Sequence, residues 1–247
     1  MAKHKSIDII ENHKNTVISA FDDYLSSLLK ETPEKCDKLS YWVTDWIRFL
    51  KNEETFNPKK LKRYKRGDVI KVHLGFNVGN EEGGLHYAIV IDNNNSINDA
   101  TIRIIPLTSV KPNKNLNRLR SGEIYLGNEF YRLMQAKLLS SAYSLRLEIK
   151  YLQDMITVTD SKNITVPNDI LKRINELQKE YSLISNMRTE LNKMKTGSIA
   201  LVSQITTVSK IRIYNPKSVH QSLHGIRLSD SALNQIDAAI IRLYTKS

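Results

Sequence analysis

A single cysteine, Cys36, stands in a chain of 247 residues, so no intrachain disulfide can brace the fold. It lies among helical residues with no partner base and reads as inert. No apolar run approaches the roughly 18–20 residues that cross a bilayer. The opening "MAKHKSIDIIENHKN" has basic residues but lacks the continuous apolar stretch of a secretory signal. These absences point to a cytoplasmic protein. Aromatics make up only 7%, yet hydrophobic residues reach 40% and charged residues 26%, which supports a sizeable core and excludes a disordered chain. Glycines number nine, so the adjacent pair Gly83 and Gly84 beside His86 asks for a reason. His220 and His224 have the spacing of a helical metal pair. Their segment reads as extended or looped and offers no third ligand, so no metal and no cofactor is expected.

What is abundant is positive charge, +11 overall. An excess of this size captures polyanions, of which nucleic acid is the usual one. The charge is clustered: "KKLKRYKR", Lys59 to Arg66, is basic at six of eight positions with Tyr64 among them, and "KPNKNLNRLR", Lys111 to Arg120, adds four. Such clusters suit phosphate contacts, which give affinity without sequence choice.

The texture changes along the chain. In residues 1–60, Ile9, Ile10, Val17, Phe21, Tyr24, Leu25 and Leu28 recur at helical steps; "ETPEKCDK" interrupts, and "LSYWVTDWIRFL" resumes a helix. Residues 61–128 read as short strands in "DVIKVHL", "HYAIVID", "TIRIIPLTS" and "GEIYL". Across 129–195 the period becomes heptad-like, with Leu138, Leu145 and Leu152, then Ile170, Ile174, Leu177, Tyr181, Ile184 and Leu191. This predicts an antiparallel helical hairpin of coiled-coil type, its two runs separated by "TDSKNITVPND". Residues 196–247 return to strand texture in "GSIALVSQITTVSKIRI" and close on a helix with Ser229 as N-cap and Leu233, Ile236, Ile240 and Leu243 as its stripe. The fold class is α+β, a small barrel or strongly curled sheet interrupted by a hairpin insertion. On that reading, excising 131–193 with a short linker leaves a foldable barrel.

"RGDVIKVHLGFNVGNEEGG", then "AIVI", a variable loop and "IIPLTS", followed later by "IALVSQITTVSKIRI" and "LHGIRLSDSALNQIDAAI", resembles the MazF/PemK toxins. The resemblance covers roughly 64–128 and 197–245 and leaves the first 60 residues and the hairpin outside it. It implies a curled SH3-like barrel of the MazF/PemK/CcdB type and a type II toxin–antitoxin toxin. The implied activity is that of an mRNA interferase, a metal-independent endoribonuclease cutting single-stranded RNA to 2′,3′-cyclic phosphate and 5′-hydroxyl ends. A homodimer and a cognate antitoxin protein are implied as well.

Where the family has a catalytic arginine after the glycine pair, this chain has His86. Histidine, with an ordinary pKa of about 6.5, can hold or give a proton near neutrality, a task worth roughly 10²–10⁴-fold in rate. Thr108 and Ser109 match the family's catalytic threonine and its neighbour, with hydroxyls suited to a phosphate oxygen. Asn77, Gly79, Glu81, Gly83, Gly84 and Gln204 are implied RNA contacts, joined by Lys65, Arg66, Lys111 and Lys114 from the basic clusters. Glu81 and Glu82 read as a solvated loop rather than an acid–base pair, because adjacent side chains diverge. Strand parity sets Arg103 on the face opposite Thr108, so it is not recruited. The alternative is a barrel without nuclease activity that binds nucleic acid or protein, in the manner of a gyrase inhibitor.

Overall fold

The computed structural model describes residues 6–161, 168–195 and 197–246. They fall into two units, one ending at Thr55 and one beginning at Phe56. The first consists of helices α1 (Ile7–Glu31) and α2 (Pro33–Glu53). The break between them is Thr32 alone, shorter than the expected "ETPEKCDK". Proline is tolerated in the first turn of a helix, where its missing N–H has no partner to lose, so α2 restarts at Pro33 directly after Thr32. Cys36 is half-buried in this unit, with its thiol 3.5 Å from the Leu25 carbonyl.

The second unit is α+β. Its strands are β1 (Val69–His73), β2 (Leu85–Val90), β3 (Thr101–Ser109), β4 (Glu123–Tyr125), β5 (Ser198–Leu201), β6 (Thr206–Ser209) and β7 (Ile213–Asn215). Helices α3 (Glu129–Ser161) and α4 (Asn168–Lys193) come between β4 and β5, and α5 (Asp230–Tyr244) follows β7. The ladders are antiparallel in the order β4-β5-β3-β2-β1-β7. The long β3 is shared: it pairs β2 along one edge, and along the other pairs β6 through its first half and β5 through its last residues. No ladder joins β4 to β7 among the described residues, so the sheet has two ends.

Both faces of the sheet are buried, which is why its central strands read as nearly unbroken apolar runs. One face packs Ile70, Val72, Ala88, Val90, Ile102, Ile104, Val208 and Ile213 around Tyr64. The other packs Val69, Ile89, Ile105 and Leu107 against Phe130 and Met134 of α3, Leu191 of α4, and Leu233 and Ile236 of α5. The N-cap of α5 forms as the sequence predicts, the Ser229 hydroxyl accepting from the Ala232 N–H at 3.2 Å. The "GSIALVSQITTVSKIRI" stretch departs from a simple strand. It breaks into β5, β6 and β7 because 3-10 turns at Val202–Gln204 and Lys210–Arg212 redirect the chain. The N–H of Val202 and the N–H of Lys210 carry the β4–β5 and β3–β6 registers one step further, to the carbonyls of Gly122 and Ala100, as each turn begins.

The hairpin is antiparallel and its interior is split. A distal cluster of Leu145, Leu152, Ile170 and Leu177 stands apart from the proximal Phe130, Met134 and Leu191, which belong to the sheet core. Thr159–Ser161 continues α3 and Asn168 and Asp169 begin α4, so the sequence-predicted connector is shorter than "TDSKNITVPND". Its middle, 162–167, lies outside the described residues.

Candidate functional site

The loop between β1 and β2 is closed at its neck by two backbone hydrogen bonds. Leu74 N–H donates to Gly84 O at 2.7 Å, and Gly84 N–H to Gly75 O at 2.6 Å. This neck gives the glycine pair its reason. Gly84 sits at φ +79°, and a Cβ at Gly83 would lie 2.9 Å from Gly75 O. The close approach is to the protein's own backbone. Inside the loop, Asn77 Nδ2 donates to Glu82 O at 2.7 Å, and Glu81 accepts from Val78 N–H at 3.3 Å. Gly79 turns the exposed tip at φ +64°.

Gln204, in the turn after β5, clamps this loop from across the sheet. Its amide oxygen accepts Glu82 N–H at 2.6 Å and its amide nitrogen donates to Asn80 O at 3.2 Å. Both ends of the amide are therefore occupied by backbone, and Gln204 acts on the loop rather than reaching freely outward.

His86 lies in β2, opposite Val72. Its imidazole is half-buried, and Nδ1 meets two acceptors: Glu82 Oε1 at 3.1 Å and Leu107 O at 3.4 Å. Glu82 was not expected here. The adjacent Glu81 is exposed, whereas the Glu82 side chain keeps only 23% of its surface and turns to the imidazole. Adjacent loop residues do diverge, as the sequence reading held, but one of the two diverges into the site.

In the β2–β3 ladder Tyr87 faces Leu107 and Ala88 faces Pro106. One step further along that register, His86 falls beside Thr108. Thr108 is half-buried and Ser109 is exposed, and they pair with Ile199 and Ser198 of β5. Successive strand side chains leave opposite faces, so Thr108 shares the His86 side and Ser109 does not. Arg103, on the other parity, pairs with Asp92 at 2.8 Å.

Next to this group opens a cavity of 640 Å³ whose lining includes Leu74, Glu81, Glu82, Pro106, Gln204 and Arg212. Pro106 and Leu74 are apolar walls, and Glu82 is common to the cavity and to the His86 contact. Arg212 is a residue that the sequence reading missed. Its Nε donates to His73 O at 2.8 Å, and burial pushes its guanidinium below the ordinary value. Arginine starts so high that it keeps its charge. The stretch "SKIRI" that holds it belongs to the resemblance but carries no assigned role, because Arg212 reaches the site only through the 3-10 turn before β7.

The basic clusters divide into inward and outward members. Arg66 is committed inward, its guanidinium donating to Ile91 O and to Asp237 of α5. Lys62 pairs with Asp68 at 2.7 Å with both side chains 9% exposed. Tyr64 is core, its hydroxyl donating to Pro216 O at 2.7 Å, and burial beside Asp68 pushes its phenol well above the ordinary range. Lys59, Lys60, Arg63 and Lys65 remain on the surface. In the second cluster Lys111 is exposed, whereas Lys114 holds Glu123 at 2.7 Å. Burial works against the Glu123 carboxylate, but Lys114 and the Arg120 N–H outweigh it and keep its carboxyl below the usual range. Among the described residues no three His, Cys, Asp or Glu side chains converge as metal ligands, and no helix is long and apolar enough to cross a membrane.

No curated protein matches the chain closely enough to serve as a relative. Residues 65–131, the stretch that carries Glu82, His86, Thr108 and Ser109, match the family model described as PemK-like, MazF-like toxin of type II toxin-antitoxin system.

Proposed function

We propose that the unit beginning at Phe56 is the toxin of a type II toxin–antitoxin pair, a curled SH3-like barrel that cleaves single-stranded RNA without a metal. The observation that carries the reading is the contact of His86 on β2 with Leu107 O at 3.4 Å, one residue before Thr108 on β3, inside the segment that matches the toxin family. RNA lies across this face with its scissile phosphate between the two side chains. Nε2 of His86 takes the proton of the ribose 2′-hydroxyl, and the 2′-oxygen attacks phosphorus. The bond to the 5′-oxygen breaks, that oxygen takes a proton from solvent water, and the ends are a 2′,3′-cyclic phosphate and a 5′-hydroxyl. The Thr108 hydroxyl donates to a non-bridging phosphate oxygen, and the Arg212 guanidinium offsets the charge that grows there. The cavity walled by Leu74 and Pro106 accommodates a neighbouring base. The family likeness adds a homodimer as the working state and an antitoxin protein as the natural partner.

The test uses purified protein on RNA and on DNA of the same sequence, with a chelator present. DNA lacks the attacking hydroxyl. RNA alone is cut, leaving cyclic phosphate ends, and His86→Ala slows cutting by roughly 10²–10⁴-fold. Equal cutting of both polymers, loss of cutting with the chelator, or unimpaired cutting by His86→Ala would overturn the proposal.

A further inference from the structure

We infer that Glu82 is a positioning residue for His86: its carboxylate fixes which imidazole nitrogen faces the substrate. The inference rests on the ribonuclease reading above.

Nδ1 of His86 faces a carboxylate oxygen at 3.1 Å and a carbonyl oxygen at 3.4 Å. Both groups only accept hydrogen bonds, so the nitrogen between them must carry the proton. In the neutral ring the lone pair is then on Nε2. A ring with the opposite tautomer would set a lone pair against two oxygens and present an N–H to the ribose hydroxyl, where it cannot act as a base. When the ring takes up the 2′-hydroxyl proton, the Glu82 carboxylate stands ready to balance the imidazolium. Leu107 O supplies direction only, whereas Glu82 supplies direction and charge.

Glu82 itself is held. Its N–H is bonded to Gln204 Oε1 at 2.6 Å and its carbonyl accepts from Asn77 Nδ2 at 2.7 Å. The close packing of Gly83 on Gly75 O fixes the following step of the chain. Two segments 122 positions apart therefore converge on one orientation: the turn after β5 holds the loop, and the Glu82 of that loop holds the ring four residues on. The histidine that replaces the family's arginine and the loop carboxylate beside it form a single unit.

The experiment compares wild type, Glu82→Gln, His86→Ala and the double variant on a short RNA oligonucleotide, with 15N-labelled imidazole followed by NMR. In the wild type the neutral His86 ring shows the Nδ1–H tautomer. In Glu82→Gln the amide N–H turns toward Nδ1, the Nε2–H form gains population, and kcat falls on the order of 10²-fold with KM little changed. That loss is smaller than the roughly 10⁴-fold of a buried triad aspartate because Glu82 is partly solvated. The double variant is no slower than His86→Ala. If Glu82→Gln keeps the wild-type kcat and tautomer while His86→Ala loses activity, the positioning role is overturned and the ribonuclease reading stands. If His86→Ala cuts as fast as the wild type, that reading falls and takes the positioning role with it.

Discussion

The ammonium of Lys71 on β1 and the carboxylate of Glu190 on α4 close on each other across 119 positions of sequence. Tyr87, the register partner of Lys71 on β2, donates its hydroxyl to the same carboxylate oxygen. The returning helix of the hairpin is thereby pinned to two strands of the sheet. Burial works against the Glu190 charge, but the bonds from Lys71 and Tyr87 outweigh it and hold the carboxyl below its ordinary range. A carboxylate of this kind stabilises the fold above the unfolded-state value of about 4.3, and the contribution is lost as pH falls through the depressed folded value. Glu190→Gln is expected to cost on the order of 1–3 kcal/mol near pH 7, with the gap from wild type narrowing below about pH 4. Urea unfolding of both proteins across that range checks it.

The same ion pair changes what can be cut away. Met134 and Leu191 are core residues of the sheet, and Met187 is fully buried. Removing 131–193 deletes them together with Glu190, so that truncated chain is expected not to fold, contrary to the expectation from sequence. The distal cluster of Leu145, Leu152, Ile170 and Leu177 is separate. Replacing residues 142–180 by a short glycine–serine loop removes that cluster alone and is expected to leave a cooperative unfolding transition. Circular dichroism melts of the two deletions decide between the accounts.

Lys137 of α3 reaches the loop after β7, where its ammonium donates to Ser222 O at 2.9 Å and also to Gln221 O and His224 O. Burial and the nearby Lys62 push it down to about 8. Asp68, His220 and His224 share this neighbourhood. An unfolded lysine titrates near 10.4, so between about pH 8 and that value the unfolded chain holds more protons and stability rises with pH. Lys137→Met strips a donor from three carbonyls, so it is less stable than wild type at pH 7. The difference is expected to widen between pH 8 and 10. A difference that stays flat over that window would contradict the assignment.

The local patterns were legible where a single periodicity settled them. The stripe of α5, its Ser229 cap and the paired helices of the hairpin follow from spacing alone. His86 and Thr108 were singled out from the motif order, and the β2–β3 register, continued one step past Tyr87 and Leu107, sets them beside each other. Gln204 was picked out by the same motif order, but its clamp on the loop, and the places of Glu82 and Arg212, could not be assigned in the same way. Their roles depend on a loop clamp and two 3-10 turns that join segments over 120 positions apart. Charge was misleading for a related reason. A run of lysines and arginines looks uniform in sequence, yet Lys62 and Arg66 are drawn inward by Asp68 and Asp237, one of them from the far end of the chain.

That division gives a prediction for RNA binding. Lys59, Lys60, Arg63 and Lys65 are exposed and free to meet phosphates, whereas Lys62 and Arg66 neutralise carboxylates. Each single-strand phosphate that a variant no longer neutralises lowers the slope of log affinity against log salt by about 0.7. Changing the four exposed residues to glutamine is expected to weaken binding to every RNA sequence alike, to flatten that slope, and to leave the melting temperature unchanged. Lys62→Gln and Arg66→Gln are expected to do the reverse, lowering the melting temperature with little change in slope, because each takes away the cation paired with an aspartate. Fluorescence anisotropy with labelled RNA at several salt concentrations, beside thermal melts of the same proteins, separates the two groups. An unchanged slope in the fourfold variant would place the RNA path elsewhere on the surface.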